Sequence, residues 1–374
     1  MKKNKLWLGI AISTFFTNAS AVDLTAEVAT GYDDNPFRLA DSFDPDGGWF
    51  LDTEVKMQHD VDKLRLRGKL FNRAYEDRVD DGDYFKANLD ARYKTKYELA
   101  GKKATSHVMI DYVYKDKTYV QRSTGQIGTF SGIKIADRYD YDAVGLEAKT
   151  TVSLTKALMV GLQLDFMTKD YEDYDIPGLS NLDYDQVGLK NDWIYKFDKQ
   201  SKMKLELNAA NRDFDDKPEK TKLGKKIPGT NLDYDYLGFA VVYERDITAD
   251  LDARLKYSYE ERRDSGPGYY DTDNTFVSAK LRYKVDNSLE VIGRIIYKDR
   301  DYINSSVFDE DEDGEPSEEG YTVQLSLEKE ITSNESMPVN LIAGIRYDDY
   351  DSRDPRYEYD RSQVFAGINI AFGQ

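Results

Sequence analysis

Apolar and polar residues alternate along almost the whole chain, no run after residue 21 is long or apolar enough for a membrane helix, and long links alternate with short ones. Together these predict an all-β fold: a closed antiparallel transmembrane β-barrel of about sixteen strands, with short periplasmic turns and longer acidic extracellular loops. Residues 339–372 carry the pattern at its clearest. Val339, Leu341, Ala343, Ile345 and Tyr347 share one parity, while Asn340, Gly344 and Arg346 share the other. After a polar turn cluster, Val364, Ala366, Ile368, Ile370 and Phe372 alternate with Gly367 and Asn369. Period two over this length, broken by turn residues, is a hairpin with one apolar face.

The elements follow in order. Residues 1–21 combine Lys2, Lys3 and Lys5, a short apolar run to Phe16, and Ala19-Ser20-Ala21. That is a secretory signal peptide with a small-residue cleavage site, which leaves residues 22–374 as one barrel domain. The chain has no cysteine, so neither a lipid anchor nor disulfides contribute. Strand-like stretches are expected at 23–32, 49–58, 63–75, 84–97, 105–119, 139–153, 157–171, 183–197, 202–214, 232–245, 251–262, 272–285, 289–302, 320–331 and the two halves of 339–372. Short links such as 60–62, 154–156 and 286–287 alternate with long ones such as 33–46, 120–136, 215–230 and 309–319. An even count puts both ends on the periplasmic side. Rising strands finish in Tyr plus charges, as in Tyr75-Glu76 and Tyr347-Asp348-Asp349-Tyr350. Descending strands begin Tyr-Asp, as in Tyr141-Asp142, Tyr184-Asp185 and Tyr234-Asp235. At an outer rim, these tyrosines are expected at the lipid interface and the acids in water.

The 374 residues carry a formal net charge of −18 and 29 tyrosines, with a mean hydropathy of −0.70. Such polarity otherwise marks disorder, but here the apolar residues are spread at period two rather than absent. A soluble sandwich would alternate too; strand length, link asymmetry and the charge on the polar faces favour the barrel. If the apolar parity meets lipid, the lumen-lining basic residues are Arg65, Arg67, Lys69, Arg92, Lys94, Lys204, Arg254, Lys256, Lys280, Arg282, Arg294 and Arg346. Inward acids such as Asp52, Glu54, Asp90, Glu147, Glu206, Asp252 and Glu290 are fewer. A basic lumen concentrates anions, which implies a porin-like channel for passive passage of small anionic or saccharide solutes. The competing reading is that these charges form cross-strand ladders that only stiffen the wall. The alternative function is a non-conducting accessory in polysaccharide or lipoprotein export. Residues 120–136 and 215–230 are the candidate plugs.

The opening Tyr32-Asp33-Asp34-Asn35, followed by Pro36-Phe37, resembles the start of the β-barrel porin type-2 family of exopolysaccharide-associated outer-membrane proteins. The later Tyr-Glu-Asp-Arg and Arg-Asp-Tyr endings are similar to that family's style. The resemblance implies a Gram-negative outer-membrane location. The expected partners are outer-membrane lipid and lipopolysaccharide, the barrel assembly machinery, and small solutes. Phe372 stands where such barrels carry an aromatic assembly signal. Asp309, Asp311 and Asp313 with Gly314 match the start of an EF-hand loop, but its twelfth position is Gly320, so only a weak divalent site is expected there. His59 and His107 are the only histidines, and neither has a serine or carboxylate motif beside it at the outer rim. No enzyme and no cofactor are expected. The lack of a Gly-rich phosphate loop and the acidic charge argue against nucleic acid.

Overall fold

A computed structural model describes residues 22–40, 45–76, 79–122, 124–304, 318–332 and 337–372. The signal-peptide reading of 1–21 and the divalent candidates Asp309, Asp311 and Asp313 lie outside the described residues. The first strands are β1 (Asp23–Asp33), β2 (Gly48–Val61), β3 (Leu64–Tyr75), β4 (Tyr84–Leu99) and β5 (Lys102–Lys117). Four two-residue strands follow in the next loop: β6 (Val120–Gln121), β7 (Gln126–Ile127), β8 (Thr129–Phe130) and β9 (Ile133–Lys134). The wall then continues through β10 (Tyr141–Ser153), β11 (Leu158–Tyr171), β12 (Tyr184–Lys196), β13 (Ser201–Phe214), β14 (Asp233–Asp246) and β15 (Leu251–Asp264). It ends with β16 (Thr272–Lys284), β17 (Leu289–Tyr302), β18 (Glu318–Thr332), β19 (Val339–Asp351) and β20 (Tyr359–Phe372).

Sixteen of these strands form one closed antiparallel barrel in chain order, and β6–β7 and β8–β9 are two small hairpins outside it. The ring closes where β1 pairs β20, from Leu24 opposite Phe372 to Asp33 opposite Gln363. All sixteen predicted wall strands are present, with ends shifted by a few residues. The departure is in the long link after β5, read as plain loop but folded into the two small hairpins.

The turns at one end share a construction. Thr155, Asp198, Thr248 and Asp286 each accept backbone N–H bonds from residues two or three further on. Asp198 takes those of Gln200 and Ser201 at 2.7 Å each, and Asp286 those of Ser288 and Leu289 at 2.7 and 2.9 Å. This is the side-chain mimic of a backbone turn that Asp and Thr supply. Ala100-Gly101 turns with both φ positive, at 50° and 72°, as a two-residue hairpin whose twist suits its strands.

Register fixes which side each residue takes, because directly opposed residues share a face. One parity holds the exposed apolar belt: Val108, Ile110, Leu162, Leu164, Val187, Leu255, Leu281, Ile295, Ile345 and Val364, with Val187 at 57 % exposure. A belt this long far exceeds the apolar patches that water-soluble monomers tolerate, so this wall is built to meet hydrocarbon. No helix among the described residues is long and apolar enough to cross a membrane; the strands are what span it.

One expectation needs correcting. The rim tyrosines do not all face lipid. Tyr171, Tyr184, Tyr234, Tyr302, Tyr350 and Tyr359 have the interior parity and are 5 % exposed or less. Tyr297 and Tyr321 have the outer parity and donate to Glu319 (2.7 Å) and Asp349 (2.9 Å). The apolar alternation stops short of the strand ends, while the wall's pleat continues past it and sends every second tyrosine inward.

Candidate functional site: the barrel interior

The twelve basic residues singled out from the sequence all take the interior parity. Seven have a carboxylate partner. Arg65 pairs Asp60 at 2.7 Å, Arg67 Asp90 at 2.9 Å, Lys69 Glu54 at 2.6 Å, and Arg282 Asp252 at 2.6 Å. Lys204 lies 3.3 Å from Asp192 and also pairs Glu206; Arg346 lies 2.9 Å from Asp348, and Arg254 only 3.7 Å from Glu244. The other five have no carboxylate partner among the described residues. Arg92 donates to Met109 Sδ at 3.6 Å and leaves its buried Nε without an acceptor. Lys256 sits 5.4 Å from the Phe276 ring centroid. Lys94, Lys280 and Arg294 complete the five.

Placement matters more than number. The register brings cations opposite cations: Arg65 faces Arg92, Lys86 faces Lys115, and Lys196 faces Lys202. Most pronounced is the row Arg254–Lys280–Arg294 across β15, β16 and β17. The same hoop of opposed residues continues through Gln324 and Arg346 to Gln363 one way, and through Glu244 to Lys202 the other. It therefore descends from the long-loop end to the short-turn end. Like charges directly opposite destabilise a sheet, so a wall selected for stiffness alone would not repeat them.

The interior also holds a polar network at the ring's seam, which the sequence reading missed. Asp33 is fully buried and accepts from Arg361 Nε and Nη2 at 2.9 and 2.5 Å, from Gln363 at 2.7 Å and from Tyr75 Oη at 2.7 Å. Next to it, Asp348 accepts from Thr322 Oγ1 at 2.5 Å and from Arg346 Nε at 3.0 Å. The neighbouring motif residues tie the first loop down. Asp34 accepts the Ser362 N–H at 2.6 Å, and Asn35 holds the turn to Leu39 through two 2.8 Å bonds. The opening motif thus works as a clasp between chain ends.

The long link after β5 reaches over the mouth. Arg122 pairs Glu318 on β18 at 3.0 Å, with both side chains about nine-tenths buried, and lies 5.7 Å from the Tyr359 ring. Of the two candidate plugs, 120–136 is therefore the one that crosses. The other, 215–230, caps an aromatic collar of Tyr171, Tyr184, Phe214, Tyr234 and Tyr270. Lys217 lies over Phe214, Tyr234 and Tyr270, and Arg262 over Tyr234 and Tyr302. Desolvated cation–π contacts like these are worth about 2 kcal/mol each. Extending each strand's parity to its last residue would have found the collar and put Asp33 and Arg361 on the interior side, though not their pairing.

The two histidines differ. His59 has the outer parity at the end of β2, and His107 faces inward, with Nε2 2.6 Å from Glu147. Glu147 also accepts from Gln163 at 2.9 Å, which makes this a wall contact near the short-turn end.

No family model matches the chain, and no curated protein matches it. The resemblance of its opening motif to the type-2 porin family therefore gains nothing from those comparisons. Among solved structures it is similar to an anion-selective porin from Comamonas acidovorans, at 10 % identity and TM-score 0.45 over 94 % of this chain and 98 % of that one. It is also similar to OmpT of Vibrio cholerae, at 14 % identity and TM-score 0.42 over 94 % and 97 %. A third is OprD of Pseudomonas aeruginosa, at 12 % identity and TM-score 0.43 over 94 % of each. Identities and scores this low carry over neither residues nor solute.

Proposed function

We propose that this chain is a porin-like channel of a Gram-negative outer membrane that passes small anionic solutes passively. The observation that carries the reading is the row Arg254–Lys280–Arg294, three cations in direct register on neighbouring strands, of which two have no ion pair among the described residues. Closely spaced cations on a low-dielectric wall focus a positive field into the lumen and raise the local anion concentration. The net charge of the chain is −18, so the acids needed to neutralise this row are placed elsewhere. Outer-membrane lipid and lipopolysaccharide cover the apolar belt, the barrel assembly machinery inserts it, and residues 1–21 serve as the export signal. The saccharide character of the solute and membership of the type-2 porin family belong to the same proposal.

The test is a reversal potential in planar bilayers under a potassium chloride gradient. Anion preference is expected, and cation preference or a silent bilayer refutes the reading. One observation favours the second reading, a non-conducting accessory in polysaccharide or lipoprotein export: the buried Arg122–Glu318 pair lies across the mouth. Liposome swelling with charged and neutral sugars separates the two.

A further inference from the structure

We propose that the inner face of β3–β5 is a binding track for an acidic oligosaccharide, which spans two cation stations on that wall. The purpose of the track rests on the channel reading above; its binding chemistry stands independently. The upper station, near the long-loop end, is Lys86 on β4 with Lys115 and Lys117 on β5, and Lys86 stands directly opposite Lys115. The lower station, near the short-turn end, is Arg92, Lys94 and Lys96, alternate residues of β4. All six take the interior parity. Lys94, Lys96 and Lys117 are exposed to the lumen, and the other three are half-buried. From Lys86 to Arg92 the strand rises about 20 Å.

Acids are present at both stations and are outnumbered. The groove at the lower one brings Asp60 and Asp62 together with Lys63, Arg65 and the three cations of β4. Asp60 is taken up by Arg65 through two bonds of 2.7 and 2.9 Å. At the upper station the chief charges acting on Lys86 are Lys115 and Lys69, and those acting on Lys117 are Arg38, Lys115, Arg122 and Arg361, all cations. Asp140 acts on Lys115 without forming an ion pair with it. Between the stations the wall is neutralised: Arg67 pairs Asp90 at 2.9 Å, and Lys69 pairs Glu54 at 2.6 Å. Opposed like charges weaken a sheet, and this wall keeps them at its two ends only. A ligand that carries negative charge at both ends and less between them matches that pattern.

The middle of the track decides which anion. Asn88 and Asp111 have the interior parity there, and Asp111 stands opposite Asp90. A polyphosphate would set a charge against these two carboxylates at every link. A chain of acidic sugars sets hydroxyls there, which donate to Asp111 and bond Asn88 in both directions. At the upper station Phe71 is opposite Lys86, with its ring 5.8 Å from that of Tyr84. These rings offer the apolar surface that the face of a sugar covers.

The experiment is titration calorimetry on the full-length barrel purified in detergent. The probes are galacturonate, its linear trimer and hexamer, maltohexaose and linear hexaphosphate. The hexamer is expected to bind at least about a hundredfold tighter than galacturonate, because engaging one station raises the effective concentration at the other. Maltohexaose and hexaphosphate are expected to bind more weakly than the hexamer. Lys86→Gln with Lys115→Gln removes one station, and Lys94→Gln with Lys96→Gln the other. Each double variant is expected to abolish the gain with chain length and leave galacturonate binding to the remaining station. Heat-modified gel mobility identifies the variants that are folded, and the wild-type ranking of probes stands without them. The proposal is overturned by a smaller gain from monomer to hexamer, by maltohexaose or hexaphosphate matching the hexamer, or by folded variants that keep the length dependence. Bilayer selectivity of the same preparation is read separately. Length-dependent binding without anion conduction refutes the channel and keeps the track. Anion conduction without length-dependent binding does the reverse.

Discussion

Replacing Asp33 by alanine tests the clasp between the chain ends. Asp33 is fully buried and receives four side-chain hydrogen bonds, two from Arg361, one from Gln363 and one from Tyr75, all between 2.5 and 2.9 Å. It also accepts the Asn35 N–H at 3.2 Å. Asp33→Ala leaves the Arg361 guanidinium, 7 % exposed, with Asp348 Oδ2 as its nearest acid at 3.9 Å. Removing one partner of a buried ion pair costs about 3–5 kcal/mol, or roughly two to four decades in the folding equilibrium. The assay is urea unfolding of the barrel reconstituted in lipid vesicles, followed by tryptophan fluorescence. Asp33→Leu combined with Arg361→Met is expected to cost less than Asp33→Ala alone, because the pair leaves together and no charge is stranded. A loss below about 1 kcal/mol for Asp33→Ala refutes the reasoning, and so does a double variant worse than the sum of its singles.

Further expectations concern the mouth, the cation row and the collar. Glu318→Gln strips Arg122 of its charge partner at a cost of about 3 kcal/mol, which loosens the crossing loop and raises single-channel conductance; an unchanged conductance counts against the brace. Lys280→Glu places an acid between Arg254 and Arg294 and is expected to lower the anion-to-cation permeability ratio about severalfold, read as a shift in reversal potential. Phe214→Ala empties a fully buried position among Tyr184, Tyr234 and Lys217 and is expected to cost about 3–5 kcal/mol in the same unfolding assay. Burial lifts the Asp140 carboxyl from 3.8 to about 7, opposed by the Lys117 N–H and reinforced by Asp116 and Asp137. A carboxyl raised in the folded state binds its proton more tightly there, so its contribution is full below the unfolded value of 3.8 and is lost as pH rises through about 7. Asp140→Asn, which keeps the oxygen that accepts the Lys117 N–H, should remove that decline. After allowance for solvent, the gain is about 1 kcal/mol above neutrality and nil in acid; equal pH profiles for the two proteins refute it.

How far the sequence could be read follows from where its signal was strong. The wall was legible because a strand between lipid and water must alternate, and the two halves of 339–372, like 157–171, alternate over most of their length. The interior parity of Arg254, Lys280 and Arg294 followed from the same rule. That Lys280 and Arg294 have no acid beside them among the described residues did not, because it depends on register, and one residue of slip changes every neighbour. Asp33, Arg361 and Asp348 were missed because they lie beyond the last apolar residue, where composition turns uniformly polar. The pairing of residues 33 and 361 is a matter of ring closure and leaves no local trace.

The crossing loop has a geometric consequence for what the barrel can admit. It leaves the wall at the fifth strand of the ring and is fastened at the fourteenth. A chord drawn so near a diameter turns one opening into two bays, bounded by eight strands on one side and six on the other. The collar of rings from β11 to β16 occupies the first. The second contains Lys117, Arg361 and the clasp. A chord fastened this way uncouples the two bays, so strands added to the larger arc would leave the smaller one unchanged.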